Sequence, residues 1–202
     1  MTTTLLTDAP PALEPAWEVA RLFPAQGAWG EADYLELKTN QLVEYSHGTV
    51  EVLTMPTDKH QSIVAHLYRL LFAFATQIGG KVLFAPLRLR LWPGKIREPD
   101  LVFLASARDV RRQDELWTGA DLVIEVVSAD DPQRDLVTKR IEYAQAGISE
   151  YWIVDPRTDS ITVLQLAGSA YVEHGCFTRG ATVTSVILPG LTVEVGGVMD
   201  AA

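Results

Sequence analysis

Cysteine is nearly missing from this chain: Cys176 is the single one in 202 residues. No intramolecular disulfide can form, and no C-x-x-C pair is available for zinc or redox work. A reducing compartment is the natural setting, and the lone thiol reads as a small buried hydrophobe. Long apolar runs are missing too, since none approaches the ~18 residues that span a bilayer. No Lys or Arg precedes Arg21, and no continuous apolar segment follows the first residues, so neither a membrane span nor a secretory leader is expected. The expected location is the cytoplasm. Positive charge is in deficit: 17 Lys plus Arg stand against 26 Asp plus Glu, a net −9. That excludes a surface that clings everywhere to nucleic acid or anionic membrane, though not a local basic groove. G-x-S-x-G, G-x-x-x-x-G-K-[ST], H-E-x-x-H and G-x-G-x-x-G are all absent. Nucleophile-elbow, P-loop, zincin and Rossmann chemistry therefore have no starting point. His60 and His66 fall on different faces of a helix and make a poor metal pair.

What is present is a core. Hydrophobic residues make up 48% of the chain, ample for one packed domain. Residues 1–29 are rich in Thr, Ala and Pro around an apolar island of Trp17, Val19, Leu22 and Phe23, and read as an arm; residues 30–202 form the domain. Glu31–Leu37 reads as a short helix. Gln41–Tyr45 and Thr49–Leu53 flank Ser46-His47-Gly48 as a hairpin. Ile63, Val64, Leu67, Leu70, Leu71 and Phe74 recur at helical spacing within Lys59–Gln77, which Gly79-Gly80 closes. Strand-like runs follow at Val82–Leu91, Leu101–Leu104, Leu122–Val127, Tyr151–Val154, Ile161–Leu166 and Thr182–Leu188. A second helix spans Pro132–Ala146. This order predicts an α/β protein of the mixed α+β kind, with a central mixed sheet flanked by helices.

Two carboxylates sit where carboxylates are costly. Glu125 interrupts the apolar run Leu122–Val127, typical of a strand covered on both faces. There it needs a cation, a metal or strong donors, unless it is a strand-end group reaching water or one arginine. Asp100 opens Leu101–Leu104 directly after Pro99 and taken alone could be a turn aspartate. Brought to one sheet edge, the pair would suit Mg²⁺ or Mn²⁺, which accept carboxylates, waters and substrate phosphate. Asp135, Lys139 and Tyr143 form an i, i+4, i+8 stripe on the second helix, either a solvated face or an ammonium reaching over the strand end.

These segments together resemble the Uma2 family, a DUF820-type branch of the PD-(D/E)XK nuclease superfamily. The resemblance is carried by Pro99-Asp100, by Leu122 through Val126, and by Arg134-Asp135-Leu136 through Lys139, Tyr143 and Ala146-Gly147. Glu150-Tyr151-Trp152-Ile153-Val154-Asp155-Pro156 completes it, and Tyr34–Leu37, Val43-Glu44, Met55-Pro56 and His60-Gln61 agree in the N-terminal half. It implies a restriction-endonuclease-like core, with Asp100 and Glu125 as metal ligands and Glu44 completing the site. The superfamily lysine would stand at position 127, which is Val127 here; Lys139 matches the lysine that Uma2-like sequences carry on the following helix. The implied activity is Mg²⁺- or Mn²⁺-dependent endonucleolytic hydrolysis of DNA, by a homodimer.

A basic stretch sits beside these residues. Positions 81–112 hold eight Lys and Arg against Glu98, Asp100 and Asp109. Arg88 and Arg90 share a strand face, and with Arg97 and His60 they are the expected contacts to DNA, or to RNA in its place. Trp92 and Trp117 fit the core or a dimer contact better than base stacking. Two rivals stand beside the enzyme reading: a catalytically inactive nucleic-acid-binding or assembly module of the same fold, and a metal-independent hydrolase using Asp100 and Glu125 as an acid/base pair.

Overall fold

The computed structural model describes residues 23–39 and 41–202. Most of the expected arm, residues 1–22, lies outside the described residues. The described elements begin with helix α1 (Glu31–Glu36), then the hairpin β1 (Val43–Ser46) and β2 (Thr49–Val52). The hairpin turns through His47 at φ 45° and Gly48 at φ 88°, the paired positive φ that a two-residue turn needs. Gly48 has a second reason to be glycine: an added Cβ would meet the Gly27 carbonyl oxygen at 2.6 Å.

Helix α2 (Asp58–Ile78) is capped by Thr57, whose hydroxyl accepts from the His60 amide, and ends on Gly79 at φ 77°. Its buried stripe is Ile63, Val64, Leu67, Leu71 and Ala75, as the periodicity predicts. The run expected as one strand over Val82–Leu91 is two strands in two sheets, β3 (Lys81–Phe84) and β4 (Leu89–Trp92). Between them the chain turns at a cis Ala85-Pro86 bond. β5 (Lys95–Arg97), β6 (Leu101–Leu104) and β7 (Leu122–Val126) follow. The second helix begins as a π-helical turn, Arg134–Lys139, continued by α3 (Arg140–Gln145). Then come β8 (Glu150–Asp155), β9 (Ser160–Ala167) and β10 (Ala170–Thr178). The small pair β11 (Thr182–Thr184) and β12 (Thr192–Glu194) precedes helix α4 (Val195–Met199).

The central sheet has the order β10-β9-β8-β7-β6-β3. Only β7 and β8 run parallel, and parallel neighbours need a crossover, here the π turn with α3. The expected mixed sheet is therefore the one observed. Along β7, Leu122, Ile124 and Val126 join the core with α2, whereas Val123 and Val127 join the core that includes Tyr143 and Ala144 of α3. Glu125 shares the parity of Val123, and Tyr143 reaches it from α3. A second sheet, β2-β1-β5-β4, packs its own cluster of Trp29, Tyr34, Val43, Tyr45 and Ile96.

Candidate active site

The sheet register brings the two carboxylates together. Leu101 pairs with Ile124 in the antiparallel β6–β7 ladder, so one step further Asp100 stands opposite Glu125. The Val126 amide donates to Asp100 Oδ2 at 2.8 Å, and the Asp100 amide approaches Glu125 Oε2 at 3.4 Å. From α3, the Tyr143 hydroxyl donates to Glu125 Oε1. Lys139 Nζ lies 3.0 Å from the same oxygen and 2.9 Å from Asp135 Oδ1. The Asp135–Lys139–Tyr143 stripe is therefore not solvated: all three are buried, while Val137 and Ile141 face outward. An amphipathic helix would do the reverse, and the inversion makes sense only around the carboxylates.

The electrostatics follow from this packing. Burial pushes the Glu125 carboxyl up to about 8; Asp100 and Asp135 add to the rise against the opposing pull of Lys139. Burial alone would lower Lys139, but Glu125, Glu44, Asp135 and Asp100 hold it well above the ordinary lysine value. It is an ammonium, a donor and not a base. Burial likewise pulls His60 down, yet its contact with Asp100, together with Glu125, holds it above its ordinary value.

Counting hydrogen bonds shows which oxygens remain. Asp100 Oδ2 is taken by the Val126 amide and by His60 Nε2 at 3.2 Å. Glu125 Oε1 is taken by Tyr143 and Lys139. Among the described residues, Asp100 Oδ1 has no protein donor and Glu125 Oε2 has only the long amide contact. Even with Glu125 protonated, Asp100 and Asp135 outnumber the one ammonium, so the donor set is anionic and composed of hard oxygens. It suits Mg²⁺ or Mn²⁺ bound by one or two carboxylates plus waters. Among the described residues no three His, Cys, Asp or Glu side chains form a complete cage, so waters and substrate would have to fill the remaining positions.

Glu44 lies beside this cluster and is committed elsewhere. Its Oε2 accepts from Arg97 and Arg134, and its Oε1 from the Glu98 amide at 3.1 Å. Burial would raise it, but Lys139, Arg97, Arg134 and the Glu98 amide together hold it down at about 2. Glu44, expected to complete a metal site, accepts three hydrogen bonds, two of them from guanidiniums, which leaves one acceptor position on Oε1. Arg134 also reaches Glu51, and Arg97 makes a two-pronged contact with Glu142 at 2.8 and 2.9 Å.

The expected basic row is corrected by its neighbours. Arg88 and Arg90 do share a face, but that face packs on α1. Arg88 donates to the Leu35 and Leu37 carbonyls and lies 4.7 Å over the Tyr34 ring, while Arg90 pairs with Glu31. Arg97 is buried in its two carboxylate contacts. These arginines tie α1 and α3 to the second sheet and present no open phosphate-binding row. Of the four candidates for nucleic-acid contact, His60 alone belongs to the carboxylate cluster. Trp117 is buried, as a core residue, whereas Cys176 is exposed because it lies on β10, a sheet-edge strand. Arg134 and Glu142 were not picked out as site residues from the sequence; the helical stripe alone pointed to their neighbours.

Comparison with known proteins gives a family and a fold. The sequence matches the Uma2 family, described as "Putative restriction endonuclease", over residues 31–196. Among solved structures the chain is similar to "a putative nuclease belonging to DUF820" from Anabaena variabilis ATCC 29413. The TM-score is 0.70 at 19% identity, covering 83% of this chain and 96% of that one. At that identity the likeness establishes the fold. No curated protein matches. No helix among the described residues is long and apolar enough to cross a membrane.

Proposed function

The chain belongs to the Uma2 family, and on that premise we propose that it is a divalent-metal-dependent endonuclease acting on DNA. The observation that carries the proposal is the buried constellation of Asp100, Glu125 and Lys139, in which Asp100 Oδ1 is left without a protein donor and Glu125 Oε2 has only a long one, beside a fixed ammonium. Asp100 and Glu125 would hold Mg²⁺ or Mn²⁺, which when bound supplies a Lewis acid for the phosphodiester and lowers the pKa of a coordinated water.

The protein's own groups account for the rest. Asp135 and Glu125 hold the Lys139 ammonium in place, so it meets developing negative charge with no reorganisation at the moment of reaction. Tyr143 fixes the Glu125 carboxylate by donating to the same oxygen that Lys139 holds. The Glu44–Arg97–Arg134 group anchors the start of this helix to the second sheet.

The test is cleavage of plasmid, single-stranded DNA and RNA with Mg²⁺ or Mn²⁺, comparing the wild type with Glu125→Ala. Metal-dependent cutting of DNA that EDTA and the substitution both abolish is the expected result. Cutting that survives Glu125→Ala overturns the assignment. Nucleic-acid binding without cutting under any metal makes the chain a non-catalytic module.

A further inference from the structure

Resting on that metal-dependent reading, we propose that His60 is a positioning residue for the cation site: by holding Asp100 Oδ2 it leaves Oδ1 as the oxygen available to the divalent ion. His60 comes from the first turn of α2, in the layer opposite the π turn and α3, and its backbone is fixed by the Thr57 cap. Its ring reaches the end of the sheet, where Nε2 lies 3.2 Å from Asp100 Oδ2. A carboxylate accepts only, so Nε2 carries the hydrogen.

The other ring nitrogen decides what the residue is for. His60 Nδ1 is buried and has no hydrogen-bond partner. A histidine serving only to tie the helix to its surroundings would satisfy both nitrogens. Its side-chain partner is a carboxylate of the candidate metal pair, and the Val126 backbone lies beside the ring. The Val126 amide grips the same oxygen from β7 at 2.8 Å, so Asp100 is held from the sheet and from α2 at once. Partners of this kind, one bond removed from a metal, typically contribute 10–100-fold in metal affinity.

Mn²⁺ binding to the full chain without nucleic acid, read from the electron paramagnetic resonance of free Mn²⁺, separates the possibilities. His60→Gln places an amide nitrogen where Nε2 stands and keeps the donor. His60→Leu removes it, and His60→Asn puts the amide at the Nδ1 position. The wild type and His60→Gln should bind within about 3-fold of each other, while His60→Leu and His60→Asn should bind about 10-fold or more weakly. If His60→Leu does not fold, His60→Asn against His60→Gln gives the answer. Binding by the donor-less variants equal to wild type, or a His60→Gln as weak as they are, overturns the positioning role. Wild-type binding that Asp100→Asn abolishes and His60→Leu leaves intact sinks this inference alone. A wild type that binds no Mn²⁺ sinks the metal-dependent reading and this inference together.

Discussion

Glu150 opens β8 and is fully buried, yet it belongs to the scaffold. Its Oε1 accepts from the Trp152 indole N–H, and its Oε2 accepts from the Val186 and Ile187 amides at 2.7 and 3.0 Å. A carboxylate presents acceptors at both ends, which is what three converging donors require. Glu150→Gln keeps the size but turns one end into a donor. Its better orientation gives the oxygen to the two amides and sets its NH₂ against the Trp152 N–H. One buried donor then loses its partner and two charge-assisted bonds become neutral ones, a cost of about 3 kcal/mol. For a chain of this length that lowers Tm by roughly 6–12 °C. Thermal unfolding followed by circular dichroism measures it directly. In a Trp152→Phe background, where the indole donor is already gone, the same substitution should cost about 1 kcal/mol less. A Tm within 2 °C of wild type would refute the hydrogen-bond accounting. Lost nuclease activity with an unchanged Tm would refute the structural role itself.

Three shorter predictions follow from the site. Glu44 is buried and its carboxyl is held at about 2 against an ordinary 4.5. It therefore contributes about 3 kcal/mol, fully present above pH 4.5 and lost as pH falls toward 2. Glu44→Gln should flatten that limb of the urea midpoint against pH, and parallel curves would count against the assignment. Lys139→Met should cut cleavage by about 10²–10³-fold while Mn²⁺ affinity stays the same or tightens, because a competing cation leaves Glu125; steady-state cleavage and metal titration together check this. DNA affinity measured in Ca²⁺ should fall only shallowly with salt, by fewer than about three released counterions; a slope of six or more would reveal a basic face that the described residues do not show.

How much could be read from the sequence depends on whether the signal was local. The α2 stripe, its Thr57 start and its Gly79 end lie within one segment, and so does the hairpin at His47-Gly48. β10 escaped because an edge strand needs no alternation: only Tyr171 is buried along it, and its pairing with β9 is broken by a bulge between Glu173 and Gly175. Val82–Leu91 looked continuous because both halves are apolar, although they serve different sheets. Glu125 was legible because a charge inside an apolar run stands out without knowledge of the fold, whereas Asp100 and Lys139 took their roles from the family resemblance. The committed state of Arg88, Arg90 and Arg97 was not legible, because their partners Glu31, Glu44, Glu98 and Glu142 come from α1, β1, the loop before β6 and α3. Strand register and helix docking choose such partners.

That difference changes what the acidic balance means. The excess of positive charge over residues 81–112 is largely spent inside the protein. Arg88, Arg90, Lys95, Arg97 and Arg111 are each paired with Asp or Glu. Lys81, Arg108 and Arg112 have no such ion pair among the described residues. The buried pairs among them, those of Lys95 and Arg97, lose much of their Coulomb gain to desolvation, and the half-exposed ones are screened by water, so their worth lies chiefly in fixing geometry. Here they fix the docking of α1 and of the helix carrying Lys139 against the second sheet. Were the substrate a phosphodiester, it would meet Asp100, Glu125 and Asp135 with a single ammonium among them, a site that would repel it until a divalent cation changed the local sign. On the proposed function, the cation is then a condition of substrate binding as well as of the chemical step.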